Sequence, residues 1–308
     1  MPIYLPPISR RRFLAGTLSA GASLLLPRRL MAEERPVDPN LVVLLSDLHI
    51  TEDRTLVRHD VKSPETFEEV RARILALPSR PAGIVVSGDC ASNHGDLGDY
   101  VMLAELLKPL REAGISIHLA IGNHDRRDNF LKAFPDQAAQ IAKDATVADR
   151  VVSVWETAQA NWFLLDSWVD KKSSGWLGEK QLAWLAQALD ARPDKPALVV
   201  AHHNLVIEGF SEYARGRGVL DTDAFLDVLL PRKQVKAYMF GHLHQWNTGQ
   251  VKGLTWVNIP STAWGAPTTE PTGLVTCRLR PDGASLLLDT LDPKHPKQGD
   301  KFELKWRT

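Results

Sequence analysis

The chain holds only two cysteines, Cys90 and Cys277, among 308 residues. So few thiols exclude a disulfide-dense scaffold and a zinc site built from four thiolates. There is no internal repeat and no low-complexity tract. No His-Glu-x-x-His occurs, which removes the signature of a single-zinc peptidase. No charge sign dominates, since Lys plus Arg and Asp plus Glu are 37 each. That balance hides an asymmetry. Residues 1–32 carry five arginines and no acid, so the rest has 32 basic residues (37 less these five) against 37 acidic. A mildly acidic body is a poor partner for duplex nucleic acid. The remaining composition is 44% hydrophobic, 24% charged and 7% aromatic, which argues against disorder, a coiled-coil rod and a polytopic membrane protein.

The amino terminus reads as an address. Ser9-Arg10-Arg11-Arg12-Phe13-Leu14 precedes an apolar run from Phe13 to Leu26, too short to span a bilayer as a helix. Ala32, before Glu33-Glu34, is a plausible cleavage point. This order resembles the bacterial twin-arginine signals, Ser/Thr-Arg-Arg-x-Phe-Leu. The resemblance implies use of the twin-arginine export machinery and a periplasmic or extracellular mature protein. Residues 1–32 are therefore expected to be a signal peptide and 33–308 the functional domain.

After Pro39, short apolar runs alternate with amphipathic patterns. Leu41–Leu45, Ile84–Val86, Ile115–Ile121, Phe163–Leu165, Ala197–Ala201 and Val235–Phe240 have strand length and are apolar on both faces. Between them, Phe67, Val70, Ile74 and Leu77 fall on one helical face. So do Tyr100, Leu103, Ala104 and Leu107, and again Leu182, Leu185, Ala186 and Leu189. Strands alone follow, with Pro281-Asp282-Gly283 as a hairpin signal between Gly273–Leu279 and Ser285–Leu291. The alternation predicts an α/β layered domain over roughly 40–295, with a polar tail from Asp292 to Thr308.

Polar residues cluster where the apolar runs stop. Ser46-Asp47-Leu48-His49, Ser87-Gly88-Asp89, Gly122-Asn123-His124-Asp125, His202-His203 and Gly241-His242-Leu243-His244 each follow a predicted strand. Ligands of α/β sheets bind outside the carboxyl ends of strands, so these distant segments can share one mouth. Carboxylate, amide oxygen and neutral imidazole suit Zn, Mn or Fe. The donors suffice for two ions. Two cations about 3.5–4 Å apart need a shared ligand to offset their repulsion. Asp89 is the natural bridge, having two oxygens, and Asp47 and His49 can reach one ion.

These five motifs in this order resemble the calcineurin-like metallophosphoesterases, from Asp47 through His244. The chain looks most like their bacterial class III cyclic-nucleotide phosphodiesterase and glycerophosphodiesterase branch. Leu164-Leu165-Asp166-Ser167, Gly175-Trp176-Leu177 and Pro260-Ser261-Thr262 echo that branch. The resemblance implies a four-layer αββα sandwich, two mixed β-sheets flanked by helices. It implies one ion on Asp47, His49, Asp89 and His244, and another on Asp89, Asn123, His202 and His242. His203 is the alternative to His202, because Asn204-Leu205 replaces the proline the family often has there. It further implies phosphodiester hydrolysis by attack of a metal-bound hydroxide. His124, next to a ligand, would bind a phosphoryl oxygen or protonate the leaving group. Asp125 would orient His124 or brace the turn.

A phosphomonoesterase on the same site is the close alternative, and a non-catalytic scaffold the distant one. Candidate substrate contacts are His94, Trp168 and Trp246, with Trp264 as a further wall. Trp155, Trp162, Trp184 and Trp256 read as core. His118, inside an apolar run, reads as a core histidine, and His59 and His295 have no ligand spacing.

Overall fold

A computed structural model describes residues 35–137 and 147–308. The segment expected to be a signal peptide lies outside the described residues. Strand β1, Val37–Leu45, shows how the layers arise. Its side chains alternate between two covered faces: Val43 and Leu45 enter one apolar cluster, Val42 and Leu44 another. Strands β2 (Arg80–Val86) and β3 (Ser116–Leu119) extend it in parallel. Helices α1 (Ser63–Leu75), α2 (Leu97–Glu112) and α3 (Arg127–Ala133) contribute Phe67, Tyr100 and Phe130 to the same cluster as Val43 and Leu45.

The second half repeats the logic. Strands β4 (Ser153–Glu156), β5 (Asn161–Leu164), β6 (Ala197–Val200), β7 (Val235–Phe240), β8 (Asn247–Val251) and β9 (Leu254–Asn258) form a sheet ordered β4-β5-β6-β7-β9-β8. Phe163, Val199 and Tyr238 turn outward to Leu185 and Leu189 of α4 (Glu179–Asp190). A short α5 (Glu212–Arg215) precedes α6 (Thr222–Leu229), whose Phe225 and Leu229 complete that outer cluster. Trp162, Leu198 and Met239 turn inward, meeting Val42, Leu44 and Val85 of the first sheet. Strands β10 (Gly273–Arg280), β11 (Gly283–Thr290) and β12 (Lys301–Lys305) complete the first sheet, ordered β12-β11-β10-β1-β2-β3. Each fully buried Val, Leu or Phe in these clusters contributes about 1.5–3 kcal/mol of transfer free energy. The architecture is the expected four layers, two mixed sheets with helices outside.

Some expectations need correction. Ile115–Ile121 pairs only over Ser116–Leu119, because Ala120 and Ile121 leave the ladder to deliver Gly122 and Asn123. The hairpin β8–β9 was not anticipated; it turns on Lys252 and Gly253, both at positive φ (48° and 80°), as a two-residue turn requires. The polar tail is not peripheral. Its strand β12 pairs with β11, and the Arg307 guanidinium donates to the carbonyls of Leu229, Arg232 and Val235. His118 is half-buried and stacks on Trp155 with ring centroids 4.2 Å apart, so it is not a core residue. Cys90 and Cys277 are both buried and free.

Candidate metal centre

Five strand ends converge. Asp47 and His49 follow β1, Asp89 follows β2, Asn123 and His124 follow β3, His202 follows β6, and His242 and His244 follow β7. The backbone at this convergence is strained. Asp47, His49, Asp89, His242 and His244 all have left-handed φ, between 47° and 64°. Non-glycine residues rarely adopt that region, and it costs of order 1–3 kcal/mol each. Neighbouring loops hold them there: the Asp47 N–H donates to the Gly88 carbonyl at 3.0 Å, and the His49 N–H to the Asp89 carbonyl at 2.9 Å. Glycine is required beside them. A Cβ on Gly122 would lie 2.2 Å from Asp89 Oδ1, and one on Gly241 would lie 2.4 Å from Asp47 Oδ2.

The side chains form overlapping groups. His244 Nε2 is 3.2 Å from Asp47 Oδ1 and 3.2 Å from His49 Nε2. His202 Nε2 is 3.2 Å from Asp89 Oδ2 and 3.2 Å from His242 Nδ1. Asp89 joins the groups, because the same Oδ2 lies 3.8 Å from His49 Nε2. Asp47, His49 and His244 therefore offer one set of closely spaced donor atoms and Asp89, His202 and His242 another, while His49, Asp89 and His124 form a third that overlaps both. Asn123 Oδ1 is buried without a hydrogen-bond partner. Imidazole nitrogens facing each other across 3.2 Å, carboxylates beside them and an orphaned amide oxygen are the donors that hard-to-borderline divalent cations accept. The residues present fit a pair of metal ions.

Charge is distributed unevenly over the cluster. Burial would raise the Asp47 carboxyl, but His244 and His202 beside it hold it at about 2. Burial pushes His49 down to about 3. Burial opposes the charged form of His202 too, yet Asp89 and Asp47 raise it to about 9. Burial keeps His203 and His242 well below the usual histidine range.

The structure separates His202 from His203. His203 turns its Nδ1 to the Ser167 hydroxyl at 2.7 Å, while His202 faces Asp89. His124 stands at the rim, half-buried, its backbone N–H donated to Asp89 Oδ1 at 2.8 Å and its Nδ1 3.0 Å from the Asn93 carbonyl. Asp125 points away from His124. Its carboxylate accepts the N–H groups of Gly122, Cys90 and Ala91 and the Tyr100 hydroxyl, so it braces the loop.

A cavity of about 780 Å³ opens over the cluster. His49, Asp89, His124, His242 and His244 line its floor. Of the expected walls, Trp264 takes part and stacks on His49 at 4.2 Å. Trp246 does not: it is 2% exposed and lies between the sheets, stacked on Phe302. Trp168 lines a different cavity with Arg127, whose guanidinium sits 4.5 Å over its ring. His94 is exposed, bonded to the Asn93 amide, and outside the cavity wall. Trp256, read as core, is half-buried: it packs on the outer cluster and also lines the cavity. Arg58, His59 and Arg217 also line it and were missed. His59 and Asp60 form a left-handed turn between Arg58 and Val61, which lays His59 against Trp264. No glycine marks that turn in the sequence.

Comparison with known proteins agrees with this geometry. Residues 41–246 match the calcineurin-like phosphoesterase family. A Haemophilus influenzae protein named 3',5'-cyclic adenosine monophosphate phosphodiesterase CpdA is 26% identical over 260 residues, covering 84% of each chain. The Pseudomonas aeruginosa protein of the same name is 30% identical over 224 residues, 72% of this chain and 76% of that one. A dimetal phosphatase from Danio rerio shares the fold with a TM-score of 0.66 at 15% identity, over 88% of this chain and 100% of that one. The chain belongs to the calcineurin-like phosphoesterases and is a metal-dependent hydrolase of phosphoric esters.

Proposed function

We propose that this protein hydrolyses a phosphodiester of the cyclic-nucleotide type at a two-metal centre. One ion would be held by Asp47, His49, Asp89 and His244, the other by Asp89, Asn123, His202 and His242. The observation that carries this is the position of Asp89 Oδ2 between His49 and His202. A carboxylate so placed can be shared, and a shared carboxylate is what two adjacent cations need. The relatives named as cyclic AMP phosphodiesterases support the substrate class. When bound, such ions supply an acidified water and positive charge against the phosphoryl oxygens.

The protein's own groups do the rest. The His/Asp cluster sets the floor on which the phosphoryl group sits. The Asn93 carbonyl takes the Nδ1–H of His124, so that in the imidazolium form the second N–H, on Nε2, could give its proton to the departing alkoxide and leave the neutral ring. Asp125 keeps the Asn123-His124 turn in register with Asp89 through its bonds to Gly122, Cys90 and Ala91. A panel of cyclic AMP, a glycerophosphodiester and p-nitrophenyl phosphate, given to the metal-loaded protein, tests the assignment. Higher kcat/KM for cyclic AMP than for the monoester is expected; a monoester preference, or turnover of none, contradicts it.

The same proposal includes export of residues 33–308 to the periplasm or beyond, on the strength of Ser9-Arg10-Arg11-Arg12-Phe13-Leu14. Replacing Arg10 and Arg11 by Lys should leave the protein in the cytoplasm. Unchanged export contradicts this part alone.

A further inference from the structure

One guanidinium in the cavity has no acceptor of its own. Arg217 is half-buried and lines the cavity together with His242 and His244. Among the described residues it makes no ion pair and no side-chain hydrogen bond; its one specific contact is the Tyr213 ring, 5.0 Å below the guanidinium carbon. The other half-buried arginines behave differently. Arg73 is tied to Asp289 and two carbonyls, Arg127 to both oxygens of Asp166, and Arg307 to three carbonyls. A guanidinium that faces the cavity with no acceptor from the described residues has its donors available to an anion that enters.

Its backbone is fixed for such a role. The Val219 N–H donates to the Asn204 carbonyl at 2.8 Å, and the Gly175 N–H to the Gly218 carbonyl at 3.0 Å. A Cβ on Gly218 would lie 2.7 Å from the Asn204 carbonyl oxygen, so this approach needs glycine. The residues just after Arg217 are thus pinned two positions beyond His202. On the other side, α5 carries Tyr213, and the Arg217 N–H donates to the Ala214 carbonyl at 3.2 Å. The guanidinium is close enough to His203 and His242 to interact with both electrostatically.

We propose that Arg217 is a substrate-binding residue that takes a non-bridging oxygen of the phosphoryl group on the His242 side of the centre. Guanidinium suits this because its N–H donors form a planar fork and it is always charged. Tyr213 holds the fork by its ring face. This deepens the phosphoesterase assignment and rests on it for the identity of the anion.

Arg217→Met and Arg217→Lys, loaded with metal, test it. Three quantities are needed: ions per chain by elemental analysis, affinity for inorganic phosphate by calorimetry, and KM with kcat on the diester the native protein cleaves. Expected for Arg217→Met is an unchanged ion count, phosphate affinity lower by roughly tenfold to a hundredfold, and a raised KM. Arg217→Lys should recover part of the phosphate affinity but not all. Native phosphate affinity in Arg217→Met overturns the assignment. So does loss of the ions together with phosphate, which marks a residue that shapes the metal centre instead. If phosphate binding depends on Arg217 while the native protein cleaves no ester, the anion site stands and the proposed reaction falls.

Discussion

The Trp264 indole lies on the His49 imidazole, ring centroids 4.2 Å apart and planes 25° apart. The backbone of the same residue accepts the Nδ1–H of His244 at 2.7 Å. One residue thus orients two imidazoles of the Asp47 side, one by its ring and one by its carbonyl. A histidine ligand's second nitrogen usually has such a partner, and losing outer contacts costs about 10–100-fold in metal affinity. Only the ring is removable by mutation. Trp264→Ala should weaken one of two ions by about tenfold, and Trp264→Phe should weaken it less. Competitive titration with a chromophoric chelator checks this; equal affinity in all three proteins contradicts it.

Gly122 stands where a side chain cannot. An added Cβ meets Asp89 Oδ1 at 2.2 Å and the His202 ring at 2.6 Å. Gly122→Ala must displace one of them. We expect loss of metal binding together with a destabilisation of about 1–3 kcal/mol, the usual cost of overpacking. Elemental analysis and urea unfolding measure the two effects.

Asp125 satisfies three backbone N–H groups and the Tyr100 hydroxyl. Asp125→Ala leaves those donors buried without acceptors, each at a cost of about 1–3 kcal/mol. The variant should lose more than about 3 kcal/mol by urea unfolding. A loss below about 1 kcal/mol would mean that solvent replaces the carboxylate.

Trp246 separates core from wall. It is 2% exposed and packed on Phe302 between the sheets. Trp246→Ala should cost about 3–5 kcal/mol of stability. KM should stay within about twofold of native, since the residue is outside the cavity. A stable variant with a raised KM would restore Trp246 to the substrate site.

The framework was legible because its signal is local. The apolar runs became central strands, except Ile115–Ile121, whose β3 lies at the edge of its sheet, and the residues just past β1, β2, β3, β6 and β7 meet at the cluster. Nothing local distinguishes Trp246 from Trp264. Both follow the Gly241–His244 segment, but one turns between the sheets and the other over His49. Strand β12 was missed because an edge strand carries charged residues, Lys301, Glu303 and Lys305, that read as tail. Arg58 and His59 enter the cavity from a turn without glycine, which leaves little trace in sequence, and Arg217, between Gly216 and Gly218, belongs to none of the strand-end motifs.

The most direct test is the number of ions bound by the native protein and by Asp89→Ala, counted by elemental analysis after reconstitution with Mn or Zn, alongside diester turnover. We expect two ions per native chain. In Asp89→Ala, the loss of at least one ion should come with a fall in kcat/KM of about a thousandfold or more. A folded native protein that binds no metal, or an Asp89→Ala protein that keeps both ions and full turnover, contradicts the account.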